Sequence, residues 1–287
     1  MTERFDVDWL ALREPFDHAA RSVALAQRLA DRLPRRPRLA DFGAGTGSMF
    51  RFLAPLIGRG QDWVLVDADA ALLDEAFGRT AAWARRQGYA ATAAGDELLV
   101  STRFGLWRMR AVQRELTTPS SWPRHEDGPL FEVDAVVCSA LLDLVPAVWL
   151  AQMSDTLTVP FLACLTVDGR DTWRPRHPHD TLVRAAFHRD MRRDKGFGPA
   201  LGITAPRALA AHSRVTASAS SDWRIPRTAL RMQRALIDGA ADAARNARPA
   251  HATAIASWQE ARLRQALRGR LAITIGHRDI LVLPPGG

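Results

Sequence analysis

Asp41, Gly43, Gly45 and Gly47 stand at alternate positions in the stretch LADFGAGTGSMFRFLAP, Leu39 to Pro55. Glycines spaced this way let a ligand approach the backbone with no Cβ in the way. A helix opening just after them would point its unpaired N–H groups at that ligand. A dinucleotide pyrophosphate, a phosphate or another small charged group could be held there. The dinucleotide fingerprint G-x-G-x-x-G fails by one residue, because Ser48 stands where the third glycine belongs. The Walker-A loop needs a lysine after its last glycine, and the sole lysine of the chain is the distant Lys195. What remains is D-x-G-x-G-x-G, followed by a second acid, Asp67, at the end of the apolar run WVLVD.

The elements that must position these residues alternate between strand and helix patterns. An amphipathic helical segment covers roughly residues 8–33 and closes at PRRPR. RLADFG is the first strand, with a helix starting at SMFRFLAPLI. WVLVDAD is the second strand, followed by the helix AALLDEAFGRTAAWARR. WRMRAVQREL is the third, with ELLVST as its hairpin partner. VDAVVCS is the fourth and PFLACLTVDG the fifth, with a helix near AVWLAQMSDTL between them. Near-continuous apolar runs such as DAVVCSALL and PFLACLTV belong to parallel strands covered on both faces, which makes this an α/β fold. The pattern breaks after Gly169. A further core strand is expected near Val215 to Ala219, helices over Arg227 to Ala247 and Ala250 to Arg268, and a last strand in LAITIGHRDILVL.

The 287 residues carry a formal charge of +8, almost all of the positive part as arginine. That bias, with abundant alanine, reads as coding composition rather than as a polyanion-binding surface, so nucleic acid is disfavoured as a partner. Cys138 and Cys164 lie inside apolar runs, as buried thiols do, and form neither a disulfide framework nor a zinc site. No stretch reads as a signal peptide or a membrane span, so a cytoplasmic protein is expected.

The motif order resembles that of the class I S-adenosylmethionine-dependent methyltransferases. In that family the glycine turn is motif I, matched by Asp41, Gly43, Ala44, Gly45, Thr46 and Gly47. The second strand ends in an acid that grips both ribose hydroxyls, matched by Asp67 with Ala68 after it; a carboxylate accepting from a cis-diol makes two charge-assisted bonds. The third strand ends in an acid and an apolar residue beside the adenine, matched by Glu115 and Leu116, with Glu where Asp is usual. Residues just past the fourth strand, beginning at Ser139, look toward the methyl group. The resemblance implies a Rossmann-like, mostly parallel sheet with an antiparallel last strand, and S-adenosylmethionine as cofactor. Its methionine end carries an ammonium, which Asp41 would attract, and a carboxylate, which the turn N–H groups would receive. A single domain over 1–287 follows: a helical lid at 1–35, the cofactor core at 36–168, substrate-side insertions at 170–205 and 225–270, and the last strand at 271–283.

The family's Asn/Asp-Pro-Pro-aromatic turn of amino-group base methylation is absent from CSALLD. Asp143 and Asp168 fall near the metal ligands of metal-dependent O-methyltransferases. Two carboxylates are too few for a hard cation, so no metal is expected. Methyl transfer from a sulfonium leaves a neutral thioether, so alignment in a dry pocket carries most of the effect. If an oxygen or nitrogen nucleophile uses a base, His188, His277 and Asp143 are the candidates. For the substrate, Arg193 and Lys195 cluster with Arg189 and Arg192 ahead of the turn Gly196-Phe197-Gly198, Trp223 lies in the loop SSDWRIP, and Arg13 shares a helical face with Asp17 and Arg21. Together they point to a small anionic substrate. The alternatives are an RNA-directed enzyme meeting phosphates with Arg262, Arg264, Arg268 and Arg270, or a cofactor-binding regulator without turnover.

Overall fold

A computed structural model describes residues 6–116, 132–194 and 198–284. The chain begins with α1 (Val7–Ala20) and α2 (Val23–Ala30). It then alternates through β1 (Arg38–Phe42), α3 (Ser48–Ile57), β2 (Gln61–Asp67) and α4 (Ala70–Arg86). A meander follows, β3 (Ala90–Ala94), β4 (Glu97–Thr102) and β5 (Gly105–Gln113), then β6 (Ala135–Ser139), α5 (Ala147–Thr156) and β7 (Phe161–Arg174). The rest comprises α6 (Asp180–Met191), α7 (Ala205–His212), β8 (Val215–Ser220), β9 (Trp223–Ile225), α8 (Leu230–Ala247), α9 (Ala252–Leu267) and β10 (Ala272–Val282).

One sheet runs in the order β3-β4-β5-β2-β1-β6-β7-β10-β8, with β9 also beside β10. β1 pairs in parallel with β2 and β6, β2 with β5, and β6 with β7. β10 enters antiparallel between β7 and β8. The sheet is thus mostly parallel with an antiparallel last strand, as expected. Chain order reverses on either side of β1, which opens a crevice at the carboxyl ends of β1 and β6. Helices cover both faces: Phe50 of α3 packs edge-on against Trp63 and Trp107 on one. Trp149, Leu150 and Met153 of α5 pack with Phe42, Val66 and Cys138 on the other. Cys138 and Cys164 are buried free thiols, and burial pushes both above the usual thiol range.

Three expectations need correction. The N-terminal helix is two helices, because the backbone is extended at Arg21 and Ser22. Ser22 caps α2, its Oγ accepting from the Leu25 N–H at 3.3 Å, while its own N–H donates to Asp279 Oδ2 at 2.6 Å. That acid lies on β10, so local periodicity could not announce the break. β7 also continues past Gly169 to Arg174, its outer half pairing with β10 where the residues are polar and half-exposed. The alanine-rich, mostly exposed β3 adds an edge strand that its composition did not suggest.

Candidate functional site

After β1 the chain turns at Gly43, Gly45 and Gly47, whose φ angles are +65°, +51° and +79°. Residues with a Cβ adopt this left-handed region at a cost, which is the first reason for the glycines. The second is crowding. A Cβ on Gly43 would stand 3.1 Å from Leu141 Cδ1, and one on Gly47 would stand 3.3 Å from both Ala76 Cβ and Arg51 Nη1. The glycines therefore let the protein's own walls close on the turn. Its N–H groups are largely engaged: Gly43 and Ala44 donate to Val66 O at 2.9 and 3.1 Å, and Gly47 to Ala44 O at 2.9 Å. Gly45 donates to Asp67 Oδ2 at 2.8 Å. The expectation that these amides receive a carboxylate is corrected for these four.

A cavity of about 660 Å³ opens over the turn. Asp41, Gly43, Ala44, Gly45, Thr46, Asp67, Ala68, Glu115, Leu116 and Ser139 all line it, joined by Arg13 from α1. Gly47 does not line it; it caps the start of α3. Asp67 also accepts from the Asp69 N–H at 3.0 Å, so both of its oxygens are held by backbone donors. Burial raises its carboxyl above the usual range. Asp41 is 1% exposed, and neither of its oxygens has a hydrogen-bond partner among the described residues. Burial lifts this carboxyl to about 8, with Arg21 and Arg51 opposing and Asp67 reinforcing the shift. At the far end, Trp149 Nε1 donates to Leu116 O at 2.7 Å and fixes the wall that carries Glu115 and Leu116.

The N-terminal helix is bolted over this cavity. Arg51, buried on α3, grips Glu14 of α1 with Nε and Nη2 at 2.6 and 2.7 Å. Its Nη1 reaches Thr46 O at 2.7 Å and Thr80 Oγ1 at 3.0 Å, tying helix, turn and α4 together. Arg13 Nε donates to Asp17 Oδ2 at 2.9 Å, and the Arg13 guanidinium lies 4.8 Å over the Trp223 ring. Trp223 Nε1 donates to Asp17 Oδ1 at 2.9 Å.

Sheet order, antiparallel last strand, glycine turn after β1 and acid at the end of β2 now coincide. The chain has the fold of the class I S-adenosylmethionine-dependent methyltransferases. No family model matches the chain, and no curated protein does. Solved structures it is similar to include a methyltransferase from Geobacter sulfurreducens in complex with S-adenosyl-L-homocysteine, at 15% identity over 99% of this chain and 100% of that one, TM-score 0.45. A methyltransferase from Thiobacillus denitrificans with the same ligand matches at 15% identity over 98% and 100%, TM-score 0.45. The geranyl diphosphate C-methyltransferase of Streptomyces coelicolor A3(2) matches at 14% identity over 91% and 79%, TM-score 0.38.

Other expected site residues fall elsewhere. His277 is buried in β10, its ring 4.8 Å from that of Trp223, and does not line the cavity. Burial and the charge of Arg13 lower it to about 4, which suits a neutral structural ring better than a base. Trp223 itself is a buried clamp on Asp17 rather than a cavity wall. His188 sits half-buried on α6, away from the cavity, its pKa lowered by burial. Asp143 is buried between Leu141 and Leu144, which do line the cavity, but is not itself in the lining. Arg193 forms an exposed pair with Asp190 at 3.1 Å, outside the cavity. Lys195 lies outside the described residues. Among the described residues no group of three or more His, Cys, Asp or Glu could hold a metal ion, and none of the helices is long and apolar enough to cross a membrane. Arg262, offered to RNA in one reading, is wholly buried. The helical spacing grouped Arg21 with Arg13 and Asp17 but gave it no role, and the sequence marked Asp279, beside His277 and Arg278 in an apolar strand, as needing a partner without showing that the partners are Ser22 and Leu165.

Proposed function

We propose that the protein is an S-adenosylmethionine-dependent methyltransferase acting on a small anionic molecule by direct in-line transfer to oxygen or nitrogen. The observation that carries the reading is Asp41: a buried carboxylate with both oxygens unpartnered among the described residues, in one cavity with Asp67 and Glu115. An isolated buried acid is costly unless something answers it. The cofactor's ammonium is such a group. Asp67 is set to accept from the ribose hydroxyls, and Glu115 and Leu116 to border the adenine. The cofactor, when bound, supplies a methyl group on a positively charged sulfur.

The protein's own part is alignment and exclusion of water. Ser139 ends β6, Ala140 and Leu141 follow it, and all three line the cavity beside Asp41. Arg13 also lines it, with its Nε held by Asp17 and its face on Trp223. Its Nη groups are the donors we assign to an anionic acceptor, since a planar guanidinium fixed at Nε presents its fork in one orientation. Calorimetry with S-adenosylmethionine and S-adenosyl-L-homocysteine tests cofactor binding, and no heat at millimolar ligand would end the reading. Transfer of a labelled methyl group to a panel of small carboxylates and phosphates, against RNA, tests the acceptor class.

A further inference from the structure

Arg21 is 4% exposed and lines the same cavity as Asp41, yet among the described residues no carboxylate is hydrogen-bonded to it. Its Nη1 donates to Ser48 Oγ at 3.1 Å and to Ser48 O at 3.4 Å, its Nη2 to Ser139 Oγ at 2.8 Å, and its Nε is buried with no partner among the described residues. Neutral hydroxyls hold a guanidinium in place without cancelling its charge. A buried base that shares its cavity with a buried acid but is not hydrogen-bonded to it carries the cost of desolvation without the return of an ion pair.

The position of Arg21 is built rather than incidental. It sits at the extended break between α1 and α2, its N–H donating to Asp17 O at 3.0 Å. The next residue is clasped from across the sheet. Asp279, fully buried on β10, accepts from Ser22 N–H at 2.6 Å and from Leu165 N–H at 2.8 Å. Phe52 packs under the guanidinium, 5.4 Å from its centre. Four of the turn amides that might have received an anion, those of Gly43, Ala44, Gly45 and Gly47, are occupied by Val66, Asp67 and Ala44.

We infer that Arg21 is the receptor for a ligand carboxylate, and that with Asp41 it reads the α-amino-acid end of the cofactor as a zwitterion. The inference rests on the cofactor assigned above and names the end of that molecule which its adenosine contacts do not recognise. Ser48 and Ser139 keep the arginine's donors aimed while leaving the compensating charge to the ligand. A ligand carboxylate answers the buried charge of Arg21, so a ligand lacking it loses more than one hydrogen bond.

The test is calorimetry on the full chain with three probes: S-adenosyl-L-homocysteine, its decarboxylated amine analogue, and 5′-methylthioadenosine, which lacks the amino-acid end. The wild type is expected to bind the homocysteine compound about thirtyfold or more tightly than the decarboxylated amine. Arg21→Met is expected to abolish that preference while binding methylthioadenosine within about threefold of wild type, and Arg21→Lys to restore part of it. The ligand-side comparison on wild type needs no variant to fold. Equal wild-type affinity for the acid and the decarboxylated amine overturns the inference and leaves the cofactor assignment standing. Wild type that binds none of the three ends the cofactor assignment itself.

Discussion

Arg262 and Arg21 are both almost wholly buried, at 0% and 4% exposure, but their surroundings differ in kind. Arg262, on α9, is paired with Asp180, donates to Pro175 O and Gln265 Oε1 at 2.6 and 2.7 Å, and sits against the rings of Trp173 and Trp258 at 5.7 and 5.8 Å. Asp180 in turn accepts from Trp258 Nε1 at 2.8 Å. Its charge is answered inside the protein, and the node fastens α9 to the start of α6. Arg21 and Asp41 face a cavity with no hydrogen bond joining them. Buried charge that is matched internally is architecture; buried charge left unmatched beside a cavity is where a ligand is expected. The contrast is useful because both sets are arginine and aspartate, and composition cannot tell them apart.

The largest effect should come from breaking the matched node. Arg262→Ala strands Asp180 and takes a cation from the faces of two tryptophans, so urea unfolding should show a loss of about 3–5 kcal/mol. Where the variant remains folded, its affinity for S-adenosyl-L-homocysteine should equal that of wild type. An Arg262→Met, Asp180→Leu pair should recover much of the loss, because the uncompensated charge is gone. A clear drop in cofactor affinity on Arg262→Ala would mean the two sites are coupled and the comparison is mistaken.

Asp41→Asn should behave in the opposite way. Cofactor affinity should fall on the order of 100-fold, the scale of a buried charge-assisted contact. Stability should not fall with it. The folded-state carboxyl titrates at about 8, above its unfolded value of 3.8. Such a group favours folding fully only below the unfolded value, and that contribution is lost as pH rises through about 8. Thermal melts should show wild type losing stability between pH 4 and 8 relative to the Asn variant, which should melt higher at pH 8.5. The same titration shapes binding. An ammonium selects ionised Asp41, so affinity should weaken by roughly tenfold per unit as pH falls below 8, with uptake of ligand releasing a proton. Arg21, Arg51, Asp67 and Cys138 are the other charged or titratable groups facing this carboxyl. Repeating the calorimetry in buffers of different ionisation heat measures the released proton, and a pH-independent affinity between 6 and 8 would remove Asp41 from the ligand.

How much of this could be read from the residues alone depends on how far the cause lies from the effect. The glycine turn, Asp41 and Asp67 were legible because their reasons are local: a strand end, a turn, a helix start. The sheet was legible because covered parallel strands are apolar throughout. The α1–α2 break was not, because the acceptor holding Ser22 is Asp279, distant in sequence and adjacent only once β10 has inserted beside β7. His277 and Trp223 looked like site residues because polar and aromatic groups stood in otherwise apolar or loop-like stretches. They instead answer each other and the Arg13–Asp17 pair from behind the cavity wall. The glycines carry a middle-sized test of the legible part. Gly47→Ala forces a Cβ into a left-handed conformation already crowded by Ala76 and Arg51, and should cost about 1–2 kcal/mol in unfolding experiments.

The smallest effect is expected at the basic cluster of α6, and it decides which end of the molecule meets the substrate. Arg193 is exposed and pairs with Asp190 three residues earlier, an arrangement worth about 0.5 kcal/mol or less. Arg13 is buried, lines the cavity and is fixed by Asp17 and Trp223. Arg193→Ala should therefore leave cofactor affinity and turnover within about twofold of wild type. Arg13→Met should raise KM for an anionic acceptor by about tenfold or more, with affinity for S-adenosyl-L-homocysteine little changed. The reverse pattern, with turnover lost at Arg193 and kept at Arg13, would move the acceptor from the cavity under α1 to the surface of α6. The exposed pair would then be the functional one, and the rule that separates Arg21 from Arg262 would fail where the substrate binds.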